Sequence, residues 1–281
     1  MASVKDLKLR IRAVKNTQQI TKAMKMVAAA RIKRAEVKVR ASRPYTQKMG
    51  EMVANLVGST DEPNPFFVER PVKRIGVLLV TADKGLCGSY NSNIIRLAQS
   101  FFEQKKSVEI EILTVGNKGR SFFTKRNRKS TKHFSPAFYP LFADALAISE
   151  LMTEKFLNGE WDEVDVVYSS FVSAISQKPI QKRLLPFSIE SKEKKTDFLY
   201  EPDPESVLKE LLPKYLNVLI FNVLLEARAA ELGAKLVAMG NATDNAKKLI
   251  DNLNLQFYRA RQESITKEIL EVASGAEALK G

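Results

Sequence analysis

The chain has 281 residues but only one cysteine, Cys87, and one histidine, His133. A single cysteine excludes an internal disulfide and fits a reducing compartment or indifference to redox. A single histidine removes His-rich metal centres and most pairings of a nucleophile with a histidine base. No apolar run is long enough to span a bilayer; the longest lie around Ile75 to Val80 and Val218 to Leu225. Any work at a membrane therefore goes through partners. Proline is absent before Pro44 and after Pro213, so nothing covalent stops a long helix at either end. Acidic residues are nearly absent from Met1 to Lys48, where fourteen Lys/Arg meet only Asp6 and Glu36, a balance of +12 in a chain of net charge +13.

What is present at the carboxy end is a seam. Steps of three and four residues from Leu211 land on Leu211, Tyr215, Val218, Asn222, Leu225, Ala229, Leu232, Leu236, Met239, Thr243, Ala246, Ile250, Leu253, Phe257 and Ala260, of which only Asn222 and Thr243 are polar. A helix over the last seventy or so residues would be roughly 100 Å long, several times the size of an ordinary core. Such a helix needs a partner along its seam. Asp203 or Ser206 is the candidate cap.

The amino-terminal arm supplies a matching pattern. Val4, Leu7, Ile11 and Val14 form a heptad stripe that lapses at Gln18, Thr21 and Lys25 and resumes at Ala28, Ile32, Ala35 and Val39. In the gap a neighbouring stripe, Ile20, Met24 and Val27, carries the apolar residues, so Gln18 to Arg34 is read as the place where the helix stops contacting only its own chain. Ser3 and Asp6 are spaced as a capping pair. The basic excess has three readings: a transit peptide, the solvated face of a coiled coil, or a surface for a strongly acidic partner. The pattern is long and regular for a presequence, and a solvated flank would mix signs, so the acidic partner is the sharper inference.

Between the helices the period becomes strand-like. Arg74 to Ala82 is a continuous apolar run that reads as a strand buried on both faces. Helices and strands then alternate: a helix near Asn91 to Lys106, a strand at Val108 to Val115, a helix at Asn117 to Arg126, a weak segment near Lys132, a helix at Leu141 to Asn158, and strands at Glu163 to Val172 and Ile180 to Phe187. This predicts an α/β fold in which an antiparallel coiled coil of long terminal helices carries a central Rossmann-like domain with helices on both faces of its sheet. The expected divisions are 1–58 for the first coiled-coil helix, 72–190 for the α/β domain, 191–204 for a linker and 205–281 for the second helix and its tip.

The turn from Asp83 to Asn91 stands where a phosphate loop would stand, but its lysine precedes its glycines and neither phosphate-binding motif is present. Gly85 and Gly88 are read as positive-φ positions in a tight turn, and Cys87 as packing. Asp162, Glu163 and Asp165 flank no glycine loop and no histidine, and are read as a solvated strand opening. No cofactor and no metal are expected.

Four stretches then carry a resemblance: IRAVKNTQQITKAMKMVA from Ile11, DKGLCGSYN from Asp83, ARAAE from Ala227 with AMGNATDN from Ala238, and RARQESITKEI from Arg259 with GAEAL from Gly275. They resemble the γ-subunit family of rotary F-type ATP synthases, and the likeness covers the whole chain. The resemblance implies a non-catalytic subunit that forms the central rotor shaft. Its coiled coil would stand inside a ring of three α and three β subunits, and its foot, with a bound ε subunit, would rest on the membrane-embedded c-ring. Ion-driven rotation would then drive ATP synthesis or hydrolysis at the β subunits. It further implies that Lys22, Met24, Lys25, Arg31, Lys33 and Arg34 meet an acidic lever of β, and that Arg261, Gln262 and Thr266 hydrogen-bond the β catch loops. The tail stripe Ile265, Ile269, Val272, Ala276 and Leu279, shifted in register after Ala260, would sit alone in an apolar sleeve. Tyr200 and Glu201 would fall near the ε subunit and c-ring. Plastid members carry a cysteine pair in an insertion that is missing near Lys192, so thiol control is not expected. A peripheral position on the cytoplasmic side of a bacterial cell membrane is implied, with membrane contact only through the c-ring.

Two other readings remain at this level. One is a basic coiled-coil protein that binds nucleic acid through Met1 to Lys48, although Tyr45 is the only aromatic there for bases to stack on. The other is a nucleotide-dependent enzyme built on the middle domain.

Overall fold

The computed structural model describes residues 3–60, 64–128, 130–136, 139–188 and 200–279. The expected linker over 191–204 lies mostly outside the described residues. The elements are α1 (Val4–Val57), β1 (Arg74–Val80), α2 (Tyr90–Gln104), β2 (Glu109–Val115), α3 (Asn117–Thr124), β3 (Lys132–Phe134), α4 (Phe142–Leu157), β4 (Glu163–Phe171), β5 (Gln177–Leu185) and α5 (Pro204–Ala278). The chain divides into two compact units, one formed by 1–27 with 236–281 and the other by 28–235.

In the first unit the two helices run antiparallel. Leu7, Ile11 and Leu253 bury one another, with Val14, Phe257 and Ala260 packed against them. Ser3 caps the start of α1 as its spacing predicted: its hydroxyl accepts from the Asp6 N–H at 3.1 Å, and Asp6 Oδ2 accepts from the Ser3 N–H at 3.4 Å. Every seam position from Met239 to Ala260 is at least half buried, and after Ala260 the described side chains are exposed apart from Ser264. The seam of α1 keeps its register at Gln18 and Thr21, where the sequence expects a lapse, and leaves it as expected at Lys25, which is exposed while Met24 of the neighbouring stripe is half buried. Gln18 and Thr21 are half buried, whereas Ile20 and Val27 of the neighbouring stripe are exposed. Polar residues keep the seam because they face a polar position: Thr21 meets Thr243.

The second unit holds the sheet, in strand order β3-β2-β1-β4-β5. The first four strands pair in parallel, as the alternation with helices predicts. The last is antiparallel to β4, because the few residues joining the two strands leave room for a tight turn and not for a crossover helix. β1 is central, which is why its run of Ile75, Gly76, Val77, Leu78, Leu79 and Val80 is buried throughout. Leu78 and Val80 share a core with Ile148, Met152 and Phe156 of α4 and with α5, while Leu79 on the opposite face meets Gly119 of α3. Helices therefore cover both faces.

Within this unit α5 is buried on more than its seam. Leu208, Leu212, Leu216, Leu219, Ile220, Val223, Leu224 and Ala227 join the sheet core, each large side chain contributing about 2 kcal/mol of burial. Asp203 caps the start of α5, accepting from the Ser206 N–H at 2.8 Å.

Two local expectations are corrected. Gly88 has the positive φ, 58°, but its companion is Leu86 at 64° rather than Gly85. The acidic group at β4 is not a solvated opening. Glu163 and Asp165 are buried, Glu163 pairs with Arg183 at 2.6 Å, and Asp165 accepts from Gln181 Nε2 at 3.0 Å. Those partners lie on β5, an association that only the folded hairpin creates. Asp162 accepts from the backbone N–H groups of Lys73 and Arg74.

Candidate interaction surfaces of the two helices

In the first unit Lys22 lies off the Leu7, Ile11 and Val14 stripe of α1 and is exposed, and Lys25, which continues that stripe, is exposed as well. Met24 is half buried. The end of the Lys25 side chain lies over Gly240 of α5, its Cε 3.6 Å and its Nζ 3.7 Å from where a Cβ would stand, so the lysine covers backbone there. Arg261, Gln262 and Thr266 are exposed, although the Thr266 hydroxyl donates to the Gln262 carbonyl at 2.9 Å. Ile269 is 62% exposed and stands in an apolar stripe with Ile265, Val272 and Ala276. The structure does not bring these two sets together: Gly240 and Arg261 are roughly 30 Å apart along α5. They form two surfaces.

In the second unit Arg31, Lys33 and Arg34 are exposed because Ala28, Ile32 and Ala35 take the buried positions between them. Glu201 is exposed, and Tyr200 packs part of its ring on the sheet core.

The turn from Asp83 to Asn91 uses its polar groups on itself. Asp83 Oδ1 accepts from the Asn117 N–H at 3.0 Å, Asn91 Oδ1 accepts from the Ala82 N–H at 2.9 Å, and Asn91 Nδ2 donates to Cys87 Sγ at 3.2 Å. Cys87 is 1% exposed; burial, and then the charge of Glu231, pushes its thiol up. That is the opposite of what a nucleophile needs. A cleft of about 490 Å³ beside the turn is lined by Lys84, Arg228, Glu231 and Lys235 among others. Glu231 already pairs with Arg228 at 2.5 Å and with Lys235 at 3.1 Å.

The sequence reading missed the buried polar contacts of α5, chiefly Glu226, which is met by Arg43, Tyr168 and Ser170. The signal was available. Glu226, Arg228 and Glu231 interrupt an otherwise apolar run from Val223 to Leu232, and a carboxylate in such a run must be paired.

The family model described as ATP synthase matches residues 3–279. The ATP synthase gamma chain of Desulfitobacterium hafniense is 44% identical over 282 residues, covering 100% of both chains. That of Moorella thermoacetica is 44% identical over 283 residues with the same coverage. The chain belongs to the ATP synthase γ-chain family. Among solved structures, the central stalk and c-ring structure of the Tetrahymena thermophila mitochondrial ATP synthase contains a chain 27% identical, with a TM-score of 0.62, over 79% of this chain and 99% of that one. A chain of the Euglena gracilis enzyme, at 21% identity, gives a TM-score of 0.74 over 98% of this chain and 94% of that one, and shares the fold. The γ-chain fold is thus what the two long helices and the inserted sheet amount to. No helix of the described residues is long and apolar enough to cross a membrane. The nucleic-acid reading of the basic arm gains nothing from these likenesses.

Proposed function

We propose that this chain is the central rotor shaft of an F-type ATP synthase, coupling ion-driven rotation of a c-ring to ATP synthesis or hydrolysis at β-subunit sites. The shaft itself does no ATP chemistry. The observation that carries this reading is the change at Ala260. Up to that residue the seam of α5 is covered by α1, and beyond it Ile265, Ile269 and Val272 of the same helix stand exposed. A helix end that leaves its partner and keeps an apolar stripe is built for contact with another chain.

On this reading the α and β subunits, three of each, surround the helices. Lys22, Met24, Lys25, Arg31, Lys33 and Arg34 meet an acidic segment of β, and Arg261, Gln262, Thr266 and Ile269 meet its loops near the tip. Exposed cations on a coiled coil suit a bearing, because a surface ion pair contributes no more than about 1 kcal/mol and holds no single partner for long. The α/β domain, 72–190, is the foot. Tyr200 and Glu201, at the end of the 191–204 linker, lie towards the ε subunit and c-ring. On the same reading the chain lies on the cytoplasmic side of a bacterial cell membrane and meets the membrane only through the c-ring.

The test is reconstitution. The chain is mixed with its cognate α and β subunits and ATP hydrolysis is followed. Multi-site turnover that requires the chain is the expected result, and equal turnover without it contradicts the reading.

A further inference from the structure

The free energy of apolar burial has no direction, and side chains packed as ridges into grooves set a helix's angle only within about 15 to 20°. Hydrogen bonds do have direction, and weaken steeply when bent. In the second unit Asn217, Asn222, Glu226 and Ala227 of α5 accept hydrogen bonds from other elements, and Glu226, which is 8% exposed, accepts three of them. Its Oε1 accepts from Arg43 Nη2 of α1 at 3.0 Å, and its Oε2 accepts from Ser170 Oγ at 2.8 Å and Tyr168 Oη at 3.3 Å, both on β4. Arg43 Nη2 also donates to the Phe171 carbonyl at the end of β4, at 2.8 Å. One carboxylate thus ties both long helices to the sheet. Burial, and then the Glu226 charge, raises the Tyr168 phenol, which stays protonated as a donor. Around this point Tyr90 of α2 donates to the Ala227 carbonyl at 3.0 Å, and Ser149 of α4 donates to Asn217 Oδ1.

The Arg43–Glu226 pair is open to water on its Arg43 side, which is 48% exposed, so it is a weak source of stability. A fixed angle is what it supplies here. We infer that Arg43, Tyr168, Ser170 and Glu226 form a torsional anchor, a set of positioning residues that stops α5 from turning or sliding against the sheet while the rotor works under load. This rests on the rotor reading above. Torque taken up by the foot reaches the helices without slip only if their angle on the sheet is fixed, and the apolar core alone does not fix it.

The test uses the assembled enzyme in vesicles, comparing unloaded ATP hydrolysis with ATP-driven ion pumping against a rising gradient. Glu226→Gln is expected to keep hydrolysis within about twofold of wild type while pumping against the gradient falls about tenfold, the ratio set by one lost hydrogen bond to a charged group. Tyr168→Phe with Ser170→Ala is the second variant; it leaves the ion pair in place, should show the same split more weakly, and decides the matter if Glu226→Gln does not assemble. Leu212→Ala, which weakens the same core without touching the anchor, is the control and should lower thermal stability with no selective loss of pumping. Equal loss of hydrolysis and pumping in the anchor variants, or the same split in Leu212→Ala, overturns the proposal. A wild-type chain that supports neither multi-site hydrolysis nor pumping overturns the rotor reading, and the anchor with it.

Discussion

Thr21 and Thr243 meet across the two antiparallel helices, their hydroxyl oxygens 2.9 Å apart. Thr21 also donates to the Gln18 carbonyl at 3.0 Å, and Thr243 reaches the Met239 carbonyl at 2.7 Å, so each hydroxyl has a partner on its own helix as well. Removing one leaves the other satisfied. Thr243→Val is therefore expected to change the stability of the full chain by less than about 1 kcal/mol, and Thr21→Val with Thr243→Val to leave it unchanged or raise it. Thermal unfolding of the full chain checks this, and a loss of several kcal/mol in the single variant would show that the cross-helix bond is needed.

This pair also shows how far the sequence could be read. The α5 seam from Leu211 to Ala260 and the α1 stripes at Leu7, Ile11, Ala28, Ile32, Ala35 and Val39 were legible, because apolar periodicity reports burial directly. Thr21 reads as a lapse in the sequence, because its match is visible only once Thr243 is opposite it. Long-range polar pairing escaped in the same way at Glu163 with Arg183 and at Glu226 with Arg43. The outward positions Lys33 and Arg34 follow from Ile32 and Ala35 beside them, whereas Lys25 continues the stripe and is exposed all the same.

Gly76 and Trp161 share one space at the centre of the sheet. A Cβ on Gly76 would stand 2.3 Å from Trp161 Cε3, and Trp161 is fully buried. Gly76→Ala is expected to cost about 1 to 3 kcal/mol and to shift the indole. Trp161 is the sole tryptophan, so the fluorescence maximum of the chain reads its environment without interference. An unchanged maximum and melting temperature would contradict the close packing.

Asp165 makes a prediction about pH. Burial, partly offset by the Gln181 hydrogen bond, raises its carboxyl above the ordinary value of 3.8. A carboxyl raised on folding favours the folded state fully below the unfolded value, and that contribution is lost as pH rises through the folded value. Asp165→Asn keeps an acceptor for Gln181 and does not ionise. Its stability relative to wild type should therefore increase as pH rises from about 4 toward neutrality. Melting curves across that range check the sign, and a stability of Asp165→Asn relative to wild type that falls as pH rises would contradict it.

At the tip, Arg261 and Gln262 offer hydrogen bonds where the stripe from Ile265 to Leu279 offers only apolar contact. Replacing both with alanine is expected to lower torque more than deleting residues 275–281. Rotation of the assembled enzyme against a viscous load compares the two, and equal losses would contradict the ranking.

The central claim is that this chain turns inside its complex. Cys87 is buried, so a cysteine placed at exposed Lys106 on the α/β domain, Lys106→Cys, can carry the probe. With the α and β subunits fixed to a surface and ATP added, the account predicts stepwise rotation of the probe in one direction. A probe that stays still while the same complex hydrolyses ATP at full rate would contradict it.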